Sequence, residues 1–191
     1  KNRTEPMIRI AQGKDLILNL NGKKITSESG SAIENNGTIS ITGSGTVSAA
    51  SSGSAILNNG TIESISDGTF IGADVAGSGL LIAQGSKVVT ISGGTFQGQY
   101  GITVAGTLDT ISNAALTGTS NGLYVVNGGT VNTVSGGTFT GGSIGLSVSN
   151  TGTVKTISGG TFVSTGAGGF AVKSSSGTAI EFAASGSPDS G

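Results

Sequence analysis

The sequence predicts an all-β fold, a single-stranded right-handed parallel β-helix of about seven coils, each with roughly 23 residues and three short strands. Three observations predict it. One motif recurs at nearly constant spacing, two further rows of apolar residues keep register with it, and 36 glycines are spread over 191 residues. Such a period indicates a solenoid, because a unit of this size cannot bury its apolar side without neighbouring units.

The first row of apolar residues closes the motif Ser-Gly-Gly-Thr-Phe, which occupies residues 92–96, 135–139 and 158–162. With the weaker copies of the motif, the spacings are 22, 23, 26, 20, 23 and 23 residues. We call this set the phenylalanine row: Ile25, Val47, Phe70, Phe96, Leu116, Phe139 and Phe162. Equivalent residues of successive coils lie about 4.8 Å apart. We therefore expect the neighbouring phenylalanines of this row to stack in pairs, Phe70 with Phe96 and Phe139 with Phe162.

Two further rows have the same period. The second row alternates with outward residues, as a half-buried strand does, and comprises Ala32, Ala55, Leu80, Ile102, Leu123, Leu146 and Phe170. The third row usually follows Gly-Thr and comprises Ile39, Ile62, Val88, Leu108, Val131 and Val154. Amide side chains four residues before the third row are expected to stack as a hydrogen-bonded ladder: Asn35, Asn58, Gln84, Asn127 and Asn150.

The repeats also suggest the limits of the domain. We expect the β-helix over residues 1–183, with an opening coil at residues 1–25 and a flexible tail at residues 184–191. An uncapped end of a solenoid favours edge-to-edge association. We therefore expect either that this chain is part of a longer protein or that another chain covers its C-terminal edge.

Two segments resemble known proteins. Residues 11–25, which read Ala-Gln-Gly-Lys-Asp-Leu-Ile-Leu-Asn-Leu-Asn-Gly-Lys-Lys-Ile, resemble the opening coil of pectin-lyase-like β-helix proteins. The repeated Ile-Ser-Gly-Gly-Thr-Phe resembles repeat regions of large bacterial surface proteins, many of them labelled adhesins. The resemblance covers nearly the whole chain and implies the fold, whereas the fold itself serves lyases, hydrolases, phage tailspikes and adhesive stalks.

Composition excludes several functions. Nine basic and 10 acidic residues leave a net charge of −1, which gives no field to attract nucleic acid. The apolar runs are too short to insert this segment into a membrane. Because the chain has neither His nor Cys, it cannot form a Ser-His-Asp triad or a common zinc site. We predict no cofactor and no bound metal.

Carboxylates are the remaining candidates for catalysis. Glu63 and Asp109 share one repeat position, with Val89 on the coil between them, so their carboxyls are expected two rungs apart, roughly 9–10 Å. That separation is in the range of glycoside hydrolases. Asp67 and Asp74 are the other acids of interest. We favour a role for these acids in solubility and predict that the chain is not an enzyme.

The candidate ligand-binding residues are Tyr100 and Tyr124. Tyr124 is expected to point outward between Leu123 and Val125, and Tyr100 precedes the same strand one coil earlier. Exposed aromatic rings can stack on sugars, so the pair is a candidate glycan platform. Regular outward threonines, broken at Lys87 and Ala115, are also found in ice-binding solenoids, although threonine is in any case a common exposed residue of strands.

These observations give three ordered hypotheses of function. The first is a non-catalytic bacterial cell-surface or secreted module that acts as an adhesin or structural stalk, with surface glycans or host or matrix proteins as partners. The second is a carbohydrate-binding or polysaccharide-degrading β-helix protein. The third is an ice-binding solenoid.

Overall fold

The computed structural model describes residues 8–126, 128–175 and 180–182, which form 19 β-strands and no helix. Every strand pairing is parallel and joins strands one coil apart. The described chain is thus a β-solenoid of about seven turns of about 23 residues, as the sequence predicts. Its right-handed coiling and its domain limits stay predictions. None of the described residues lies in a helix that could cross a membrane.

The strands are short in the first coils and fuse into longer ones later. In chain order they are β1 (Ile8–Ile10), β2 (Asp15–Asn19), β3 (Lys24–Ser27), β4 (Ile33–Asn35), β5 (Thr38–Thr42), β6 (Thr46–Ala49), β7 (Ile56–Asn58), β8 (Thr61–Ile65), β9 (Thr69–Ile71), β10 (Ser78–Ile82), β11 (Lys87–Ile91), β12 (Thr95–Val104), β13 (Thr107–Ile111), β14 (Ala115–Val125), β15 (Thr130–Gly141), β16 (Ile144–Val148), β17 (Thr153–Ser164), β18 (Phe170–Ser174) and β19 (Ile180–Phe182).

Three faces run along the solenoid. Face 1 consists of β3, β6, β9, the first parts of β12 and β14, and the second parts of β15 and β17. Face 2 consists of β1, β4, β7, β10, the second parts of β12 and β14, and then β16 and β18. Face 3 consists of β2, β5, β8, β11, β13, the first parts of β15 and β17, and β19.

The phenylalanine row forms one inward column on face 1, as predicted. Its seven members pair in order from Ile25 to Phe162. The rings of Phe70 and Phe96 stack with centroids 4.9 Å apart, and those of Phe139 and Phe162 with centroids 4.8 Å apart. These separations match the spacing of strands, about 4.8 Å, so each ring rests on the ring of the next coil. The third row is confirmed in the same way on face 3.

The second row needs a correction at both ends. Leu146 pairs with Val172, and Phe170 pairs with Ile144 and is 52% exposed. Phe170 is therefore not a core residue, because residues 165–169 place Val172 in the inward position. In the first coils the row continues through Ile33 and Ile56. The neighbouring Ala32 and Ala55 are buried but stand one position earlier in the register.

The amide ladder is confirmed for one pair and wrong beyond it. Asn35 and Asn58 pair and are fully buried, but Ile82 pairs with Asn58 on the next coil. Gln84 is exposed in the turn after β10, because that turn is two residues longer than the spacing predicts. Asn150 is exposed in a turn at φ 42°, and Asn127 lies outside the described residues.

Candidate functional site: the outer side of face 2

Two columns of side chains lie on face 2 outside the buried row. The Tyr100 column comprises Ser78, Tyr100, Asn121, Ile144 and Phe170. The Tyr124 column comprises Leu81, Thr103, Tyr124, Ser147 and Lys173. Both columns contain aromatic residues and a few polar groups, and neither contains an acid between Ser78 and Lys173.

Tyr100 and Tyr124 come together on this surface. Tyr100 pairs in register with Asn121, because the ladder shifts between Gly98 and Tyr100, and Thr103 pairs with Tyr124. The two tyrosines therefore meet diagonally across one rung. Their ring centroids are 5.0 Å apart with an interplanar angle of 30°, a stacked arrangement. Both residues are half-buried, so part of the stacked pair remains at the surface.

Stacking determines which ring faces a ligand can reach. The centroid separation is close to one rung, so one face of each ring is covered by the other ring. Tyr100 lies on the earlier of the two coils and Tyr124 on the later one. The structure thus brings the two predicted residues together as a stacked pair, in which each ring covers part of the other.

One coil earlier in the same two columns, Ser78 and Thr103 form a hydrogen bond in the same diagonal arrangement as the two tyrosines. The hydroxyl oxygens of Ser78 and Thr103 are 2.9 Å apart, and both residues are buried. The small residues Asn121 and Ser147 beside the rings are buried as well, with exposures of 6% and 8%. The bulky members of the two columns therefore cover the small ones, and this part of the surface is packed rather than loose.

A pocket of about 270 Å³ lies further along the same two columns. Ile144, Phe170 and Lys173 line it, together with glycine-rich turns at residues 142–143 and 166–169. The ammonium of Lys173 lies 5.2 Å from the centroid of the Phe170 ring, a cation–π contact. Lys173 stands two rungs beyond Tyr124 in its column. The pocket therefore lies on the later coils of the same two columns, beyond Tyr124.

The sequence missed this pocket because it assigned Phe170 to the core. Phe170 and Val172 have the same alternation, so periodicity does not distinguish which one points inward. Lys173 carried one usable signal, since Val-Lys-Ser at residues 172–174 parallels Leu-Ser-Val at residues 146–148. Ile144 carried none, because it follows a turn rather than a repeated motif.

The carboxylates Glu63 and Asp109 lie elsewhere, on face 3. Their strands β8 and β13 flank β11, so the two residues are two rungs apart as predicted. Asp109 is already held at both oxygens. Lys87 forms an ion pair with it at 2.7 Å, and Asn132 donates its side-chain amide to it over 2.7 Å. Lys87, Asp109 and Asn132, which we call the strap, thus link three successive coils. This geometry gives Asp109 a structural role.

The other acids that the sequence suggested are dispersed. Asp67 accepts a hydrogen bond from the next backbone amide, Gly68 N–H, over 2.7 Å. Asp74 lies exposed in the turn before β10, where its backbone carbonyl accepts a hydrogen bond from Thr119. Among the residues that the structure describes, no three acidic side chains gather as a metal-binding group would require.

The threonine rows form two columns in the predicted register. On face 3, Lys87 interrupts Thr38, Thr61, Thr107, Thr130 and Thr153. On face 1, Ala115 interrupts Thr46, Thr69, Thr95, Thr138 and Thr161.

Comparison with known proteins adds no assignment. No protein-family model matches the chain, and neither a curated protein nor a solved structure matches it.

Proposed function

We propose that this chain is a non-catalytic module of a bacterial cell-surface or secreted protein, and that it acts as an adhesin or structural stalk. The adhesive surface in this proposal is the outer side of face 2 around Tyr100 and Tyr124, and surface glycans are its ligands. The pectin-lyase-like resemblance and the extracellular location belong to the same proposal.

One observation carries the proposal. Two tyrosine rings are stacked at 5.0 Å outside a solenoid whose core is already filled. The core does not need these rings, because the buried row of face 2 lies on the opposite side of the same strands. Rigid aromatic rings at a surface supply contact area at little entropic cost. A partly exposed tyrosine, with an apolar ring and a polar hydroxyl, suits an apolar sugar face and its hydroxyl groups.

The experiment is retention of the 191-residue chain on a panel of immobilised polysaccharides, with new reducing or unsaturated ends scored in parallel. We expect retention without cleavage, and we expect Tyr124→Ala to weaken it more than Tyr124→Phe does. Ile17→Ser is the matched control, because Ile17 is 80% exposed on face 3. New ends would contradict the proposal and favour a polysaccharide-degrading enzyme. Retention on host or matrix proteins, but not on polysaccharides, would show that the ligand is a protein instead of a glycan.

Ice binding is a second candidate that one observation favours, the two threonine columns at rung spacing. Its ligand surface would be face 1 or face 3 instead of face 2. Thermal hysteresis of the chain in solution, lost in Thr130→Leu but kept in Tyr124→Ala, would support it. Absence of thermal hysteresis would rule out ice binding.

A further inference from the structure

The pocket beyond Tyr124 has the chemistry of a second binding subsite. Phe170 is a large apolar side chain with 52% of its surface exposed, and Lys173 holds a positive charge beside its ring. Leaving an aromatic ring exposed forgoes the stabilisation of its burial. The nearby glycine-rich turns keep the pocket open to solvent at a volume of about 270 Å³. That volume lies just under the range of pockets for drug-sized ligands and suits a single sugar ring.

We propose that this pocket, formed by Ile144, Phe170 and Lys173, binds a sugar unit that bears a carboxylate or sulfate group. With Tyr124 it forms one surface for an anionic oligosaccharide. This inference rests on the proposed function, since it assigns the ligand class and a second contact to the same outer side of face 2.

Register places the two contacts at a distance that an oligosaccharide can bridge. Tyr124, Ser147 and Lys173 pair in order along one column. Two rungs separate the tyrosine from the lysine, roughly 10 Å. A saccharide chain lying along the solenoid axis would therefore contact Tyr124 with one unit and the pocket with a later one.

Charge determines the ligand class. Lys173 supplies the cation of the pocket, and neither column contributes an acid between Ser78 and Lys173. Asp74 lies on the earlier coils, in the turn whose carbonyl binds Thr119. An anionic group is thus attracted at the pocket end. A ring such as Phe170 also favours the apolar face of a sugar, so one unit can contact both groups.

The test compares two probes of equal length: a chondroitin sulfate hexasaccharide, and the same hexasaccharide after desulfation and carboxyl reduction. Affinities for the 191-residue chain are measured by calorimetry at two salt concentrations. Lys173→Met removes the charge and keeps the apolar stem, Lys173→Arg restores the charge, and Lys155→Met is the matched control on face 3. Thermal unfolding of each variant verifies that it is folded.

We expect the anionic probe to bind wild type more tightly than the neutral one. Loss of a charge-assisted contact should weaken that binding about tenfold in Lys173→Met. Lys173→Arg and Lys155→Met should bind like wild type. Phe170→Ala should weaken both probes.

Other outcomes separate the two proposals. If Tyr124→Ala loses binding and Lys173→Met does not, the subsite is wrong and the tyrosine surface stands. If Lys173→Met loses binding and Tyr124→Ala does not, the pocket stands and the tyrosine surface is wrong. Equal affinity of wild type for both probes, or no binding of either, overturns the anionic-sugar assignment.

Discussion

The side-chain amide of Asn35 donates a 2.7 Å hydrogen bond to the side-chain carbonyl of Asn58 on the next coil, and both residues are fully buried. Asn58 in turn donates to the backbone carbonyls of Gly60 and Lys87, over 3.2 and 3.0 Å. The pair thus satisfies backbone groups at the turn between face 2 and face 3 in three successive coils. It does so inside the core, where an unpaired polar group is costly.

Asn58→Ala should therefore destabilise the fold by about 2–4 kcal/mol, because it creates a cavity and removes the acceptor of the buried Asn35 amide. Urea unfolding measures the loss as a lower midpoint. Asn59→Ala is the matched control, since Asn59 is exposed and donates only at the surface, to Asn36 over 3.1 Å. Its effect should stay within about 0.5 kcal/mol. Equal losses of unfolding free energy in the two variants would show that the buried pair stabilises the fold no more than the exposed one does.

The stacked phenylalanines predict a gradient of stability along face 1. Phe96 is fully buried and stacks on Phe70, so Phe96→Ala should cost about 3–5 kcal/mol. Phe96→Leu should cost much less, because leucine occupies the next position of the column at Leu116. Phe162→Ala should also cost less, since Phe162 is only half-buried. A larger loss at Phe162 than at Phe96 would contradict this account of the core.

Sequence periodicity was sufficient for the fold because each row repeats side-chain size as well as spacing. The phenylalanine row and the third row could be predicted in full, since Gly-Thr marks the start of most of their strands. The amide ladder could not, because a turn two residues longer puts Ile82 in place of Gln84. Turn length depends on local backbone conformation, which a fixed offset from the third row does not contain.

The candidate site was predictable only in part for the same reason. Tyr100 and Tyr124 were assigned to one face on adjacent coils, but they differ by three residues in register, and the repeat does not specify that two rings so placed stack. Phe170 was assigned to the core because residues 165–169 were counted as an ordinary turn. These irregular segments, which the repeat does not specify, create the surface features of face 2.

At the corner between face 1 and face 2, the structure predicts a glycine that cannot be replaced by a residue with a side chain. A Cβ atom at Gly118 would collide with the backbone carbonyl oxygen of Asn121, and one at Gly141 with that of Ile144. Neither atom can move without breaking the ladder, so Gly118→Ala should cost about 2 kcal/mol or more. Circular dichroism during thermal unfolding measures the change.

Gly136→Ala provides the matched control for that substitution. A Cβ at Gly136 would meet its nearest atom, Asn113 N, at 3.7 Å, which is ordinary contact. This variant should unfold within a few degrees of wild type. If Gly118→Ala were equally stable, the corner would have to be looser than the structure shows.

The strap of Lys87, Asp109 and Asn132 predicts a weak ion pair. The side chains of Lys87 and Asp109 are 48% and 26% exposed, so solvent and salt screen their attraction. A double-mutant cycle with Lys87→Met and Asp109→Asn should give a coupling energy of about 0.2–1 kcal/mol, smaller at high salt. Asp109→Asn isolates the charge, because its amide oxygen can still accept the hydrogen bond from Asn132. A coupling of several kcal/mol that does not change with salt would mean that this pair is desolvated. Asp109 would then have to be reconsidered as more than a surface carboxylate.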